Sequence, residues 1–100
     1  MPNATTETFL RQTANILSDL EVRYQEASFD EQVQLRDLLD EAMNSYSNAR
    51  LTLLKNNVIC TPADIAKMNQ IKRDLDRAMD FSKLMTVSTK LVSFFATRFL

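Results

Sequence analysis

The sequence predicts an all-α protein, an antiparallel four-helix bundle, on three observations. There is no glycine in its 100 residues. Glycine supplies the positive φ of hairpin turns, bulges and left-handed caps. A β-protein of this size needs several such positions, whereas helices can stop on Asn, Ser or Asp. Apolar residues recur at the three- and four-residue spacing of one helical face. The two prolines, Pro2 and Pro62, leave long stretches uninterrupted. At 45% hydrophobic and 25% charged residues, the chain has the composition of a globular protein, and residues 1–100 are read as one helical domain.

The first helix is expected over about 6–27. Phe9, Leu10, Ile16, Leu17, Leu20, Tyr24 and Ala27 share one side of its wheel, and only Val22 falls off it. Ser28-Phe29-Asp30-Glu31 then reads as a capping box. The Ser28 hydroxyl accepts from the backbone of a new helix while Glu31 reaches back to the Ser28 amide. The second helix, about 29–55, carries Leu35, Leu38, Leu39, Ala42, Tyr46, Ala49 and Leu53 as its main stripe. Val33, Met43, Leu51 and Leu54 form a second, weaker side, which predicts contacts on two sides. Asn56-Asn57 is the expected stop, because Asn tolerates the left-handed conformation.

Val58-Ile59-Cys60 reads as a short apolar connector. Thr61-Pro62-Ala63-Asp64 is the clearest start signal in the chain: a capping threonine, proline in the first turn and an acid beside it. The third helix is expected over about 62–80, with Ile65, Met68, Ile71, Leu75, Ala78 and Met79 on one face. The fourth is expected over about 82–99, with Leu84, Met85, Val87, Leu91, Val92, Phe94, Phe95 and Phe99 covering nearly half its cylinder and Ser82, Thr86, Thr89, Ser93 and Thr97 forming most of its polar strip. No glycine or proline separates these two helices, so one continuous helix is the alternative. On a continuous wheel, however, their apolar centres lie about 160° apart. A break near Asp80-Phe81-Ser82 lets both faces meet one core, and that reading is preferred.

The residues for catalysis are sparse. Histidine is absent, which removes the usual base at neutral pH and the His-containing triads and di-iron motifs. Glycine-dependent nucleotide loops are excluded as well. Cys60 is the lone cysteine. Its place beside a helix start hints at a lowered thiol pKa, but no base adjoins it and a buried structural role is expected. Asp37, Asp40 and Glu41, and Asp74, Asp76 and Asp80, are acids that could serve a metal or acid–base chemistry. Interleaved Arg36, Arg73 and Arg77 favour a solvated face instead. No metal or cofactor is expected, and the protein is read as non-enzymatic.

The net charge is −1, and Lys67, Lys72, Arg73 and Arg77 are diluted by acids, so no nucleic-acid partner is expected. Charge is nevertheless uneven: residues 81–100 hold Lys83, Lys90 and Arg98 and no acid. A lone cysteine suits a reducing compartment. Met1-Pro2-Asn3 is polar and lacks the pattern of a signal peptide. No apolar run approaches a membrane span, so a cytoplasmic location is expected.

The expected function is protein–protein contact by a helical module, as a homodimer, with the protein partner unidentified. The candidate contact residues are Val87, Leu91, Phe94, Phe95, Arg98 and Phe99 on the last helix, with the second side of helix two as the other candidate. The alternative is a peripheral membrane protein. Bulky apolar residues beside a Ser/Thr-rich strip resemble helices that lie in a lipid surface, which makes residues 81–100 the candidate anchor.

Overall fold

A computed structural model describes residues 4–55 and 58–99. It contains four helices: α1 (Ala4–Glu26), α2 (Phe29–Leu54), α3 (Pro62–Asp76) and α4 (Phe81–Phe99). They form a bundle measuring 42 × 22 × 20 Å.

The expected caps form. The Glu31 amide donates to Ser28 Oγ at 3.3 Å and the Ser28 amide donates to Glu31 Oε1 at 3.1 Å. The Thr61 and Asp64 pair repeats the pattern at the start of α3. The end of α2 falls within one residue of expectation. The helix closes at Leu54, and the amide of Lys55 donates to the carbonyl of Leu51 at 3.0 Å. Asn56 and Asn57 lie outside the described residues.

The last two helices are separate. α3 ends at Asp76, four residues short of expectation, and α4 begins at Phe81. Two groups fix the break. Arg23 of α1 donates to the carbonyls of Ala78 at 2.7 Å and Leu75 at 3.2 Å. These carbonyls lie where α3 stops, so the guanidinium replaces partners that a continuing helix would supply. Asp80 then caps α4, its Oδ1 accepting from the Lys83 amide at 2.8 Å. Ala78 stays buried in the link, whereas Met79 is 86% exposed and leaves the expected apolar face of the third helix.

Consecutive helices run antiparallel, but they do not pack in chain order. α1 touches α2 and α3, and α4 touches α2 and α3. The circuit is therefore α1–α2–α4–α3, which places α2 and α3 diagonally across the bundle. Contacts between α1 and α3 advance together along both helices, from Gln12 with Asn69 to Asp19 with Lys72 to Arg23 with Ala78. These neighbours are parallel. α3 and α4 run oppositely, as the pairs Asp74–Lys90 and Asp64–Arg98 show. α2 and α4 are consequently parallel neighbours as well, and theirs is the most extensive helix contact.

The core draws on all four helices. Phe9, Leu20, Leu35, Met68, Ile71, Leu75, Leu91 and Phe95 are essentially inaccessible to water. Burying each such side chain stabilises the fold by about 1.5–3 kcal/mol. Ala42, Ser45 and Ala49 of α2 and Ser88 of α4 are also buried. Ser88 and Thr13 satisfy their hydroxyls on the carbonyls of Leu84 and Phe9, one turn back, at 2.8 Å each. These two polar groups therefore enter the core without an unmet donor.

Candidate interaction surface

α4 is amphipathic, and its apolar face points inward. Leu84, Val87, Leu91, Phe95 and Phe99 are buried. Phe94, Phe95 and Phe99 cluster with Phe9 of α1, at ring-centroid separations of 5.6–6.4 Å. This corrects the expected contact surface. Val87, Leu91, Phe95 and Phe99 are core residues, because α2, α3 and Phe9 of α1 together cover an apolar arc too wide for one neighbour. Phe94 is half-buried at the edge of the cluster. The same burial removes the apolar face from lipid while the bundle is closed. Among the described residues no helix is long and apolar enough to cross a membrane.

Arg98, the remaining candidate, is engaged within the chain. Its Nε and one terminal nitrogen donate to the two carboxylate oxygens of Asp64, each at 2.7 Å. The same terminal nitrogen donates to the carbonyl of Ile59 at 3.0 Å. The guanidinium also lies 5.1 Å from the centre of the Phe99 ring. Asp64 is 3% exposed and is the acid of the α3 capping box. Arg98 holds its carboxyl below the usual carboxylate range, with the Thr61 backbone assisting against the cost of burial. Arg98 thus locks the end of α4 to the start of α3 and to the connector before it. The sequence places these residues far apart, so only the fold reveals the clamp.

Cys60 lies beside this clamp. Burial and the nearby Asp64 charge push its thiol up to about 11. The hint of an activated nucleophile is reversed, because desolvation and the Asp64 carboxylate outweigh the Arg98 charge, which acts the other way. The acids of α3 are distributed among surface partners. The Lys72 ammonium donates to Asp19 of α1 and to Asp76 at 3.0 Å. Asp74 accepts from Gln70 at 2.9 Å and from Lys90 at 3.4 Å. Among the described residues no group of three or more Cys, Asp and Glu side chains is placed to hold a metal ion.

Two surfaces differ from an ordinary solvated helix face. The first is the outer side of α4, where Ser82, Thr86, Thr89, Ser93, Ala96 and Thr97 are exposed. Thr86 and Thr89 donate to the carbonyls of Ser82 and Met85, at 3.1 and 2.9 Å. Short side chains leave a groove of about 920 Å³ there, bordered by Phe81, Met85 and Phe94 and by Lys67 and Lys90.

The second surface lies on α2. Phe29 is 78% exposed, Val33 61%, Leu51 54% and Leu54 41%. Met43, expected on the same side, is instead half-buried against the core. α2 does touch neighbours on two sides, through its main stripe and its flanks, but Val33, Leu51 and Leu54 contribute to neither. The wheel of the second helix leaves Phe29 without a surface role, although its four-residue spacing from Val33 is a usable signal. Comparison with protein-family models, curated proteins and solved structures finds no match for this chain.

Proposed function

We propose that this protein is a non-enzymatic helical interaction module that works by protein–protein contact as a homodimer in the cytoplasm. The observation carrying the reading is the placement of Phe29, Val33, Leu51 and Leu54, large apolar side chains exposed along one helix. Single exposed apolar residues are ordinary, but two apolar pairs in line on one face, Phe29 with Val33 and Leu51 with Leu54, mark a surface that gains by being covered. The well-packed core on the opposite side of α2 gives that row a rigid support, so association need not order the helix. The lone, buried Cys60 fits a reducing compartment. Lipid binding through residues 81–100 would require α4 to leave the bundle and expose Leu91 and Phe95.

Sedimentation velocity on the full chain across a range of concentrations tests the reading. A reversible shift from monomer to dimer is expected. A single monomeric species at every concentration would remove self-association from the proposal.

A further inference from the structure

The apolar residues on the outside of α2 are arranged symmetrically about the middle of the helix. At ~100° per residue, Phe29, Val33, Leu51 and Leu54 fall within an arc of about 60°. Arg36, Asp40 and Ser47 occupy the same arc between them. The strip is therefore apolar at both ends and polar at its centre. A two-fold axis level with residues 41–43 brings Phe29 opposite Leu54 of a second copy and Val33 opposite Leu51 of the second copy. Each pair then occurs twice. Asp37 and Asp40 come level with Ser47 and Asn44 of the second copy, hydroxyl and amide donors that a carboxylate accepts from. A parallel pairing instead sets Asp40 against Asp40 and Arg36 against Arg36 of the other copy. Isologous two-fold contacts require such self-complementarity, in which residue i meets j and j meets i.

We propose that the homodimer forms by antiparallel pairing of α2 with α2 of a second copy, the apolar ends of each helix covering those of the other. The inference rests on the proposed self-association and names its surface and geometry. The four apolar side chains already project into solvent, so pairing requires no repacking of the core.

Cysteine crosslinking separates the two geometries. Positions 33 and 51 are about 27 Å apart along one helix at 1.5 Å per residue, too far for a disulfide within a chain. The double variant Val33→Cys/Leu51→Cys is expected to give a covalent dimer under mild oxidation, while Val33→Cys alone and Leu51→Cys alone are not. The native Cys60 is buried and does not compete. Separately, Leu51→Glu is expected to weaken the dimer at least tenfold in sedimentation, with its helical circular dichroism unchanged because Leu51 is exposed. A covalent dimer from a single variant would mean parallel pairing and overturn the inference. A wild-type dimer that persists with Leu51→Glu, and that the double variant cannot crosslink, would leave self-association standing and move it to another face. A wild-type chain that is monomeric throughout would overturn both readings.

Discussion

Replacing Arg98 with methionine isolates the clamp between the last turn of α4 and the first turn of α3. Methionine retains much of the apolar stem and removes the guanidinium. Asp64 then stays 3% exposed, with its capping bonds to Thr61 but without the two 2.7 Å bonds from Arg98. Removing one partner of a fully buried ion pair costs about 3–5 kcal/mol. The Arg98 side chain is 31% exposed, so water already screens part of the interaction, and the Thr61 bonds remain. A loss of about 2–3 kcal/mol at pH 7 follows, read by urea unfolding. For a domain of this size that lowers the midpoint of thermal unfolding by about 10–20 °C.

The pH dependence provides an independent check. Folding lowers the Asp64 pKa from its ordinary value of 3.8. Its stabilisation is therefore present above that value and is lost as pH falls through the lower, folded value. The gap between wild type and Arg98→Met should be constant near neutrality and should narrow below about pH 4. The same comparison can be made at pH 7 in an Asp64→Asn background, where Arg98→Met should cost less than about 1 kcal/mol. An equal cost with Asp64 present and with Asp64→Asn in place would refute the assignment of the stabilisation to this ion pair.

Arg23→Met removes the two bonds onto the Leu75 and Ala78 carbonyls and should destabilise the bundle by about 2 kcal/mol; amide exchange should show faster opening confined to the α3–α4 link. The Cys60 thiol, pushed up to about 11 and buried, should react with a thiol reagent at pH 8 far more slowly than in the urea-unfolded chain; comparable rates would contradict its buried placement.

Much of the fold is legible in the sequence because its signals are local. The capping boxes at Ser28 and Thr61 each lie within one helical turn, and the mismatch of apolar faces across Asp80 is read from two helices that adjoin in the chain. Helix order is not legible, because α2 and α4 of this bundle satisfy the same periodic patterns in either circuit. Periodicity places the end of α3 too late for a related reason. The carbonyls at the end of the helix are met by a guanidinium from α1, more than fifty residues away in the chain. Four of the six contact residues expected on α4, Val87, Leu91, Phe95 and Phe99, are buried in the core, because periodicity measures how wide an apolar arc is, not how many neighbours cover it. Leu91 and Phe95 would look the same in a bundle that left them exposed. Arg98 reads as an edge cation because its partner, Asp64, is a capping residue on another helix.

The parallel neighbours also have an electrostatic consequence. Each helix carries partial positive charge at its start and partial negative charge at its end. Parallel packing sets like poles side by side, so α1 and α3 bring two negative ends together, as do α2 and α4 at the opposite end of the bundle. Side-chain charge is placed where it offsets this. Arg23, in the last turn of α1, bonds the carbonyls that close α3, so one cation serves two adjacent negative poles. Lys55 follows the end of α2 and Arg98 lies in the last turn of α4. The starts carry acids: Glu7 on α1, Asp30 and Glu31 on α2, and Asp64 on α3, with Asp80 capping α4. This distribution of charge opposes the repulsion between like poles at both ends of a circuit with two parallel pairs.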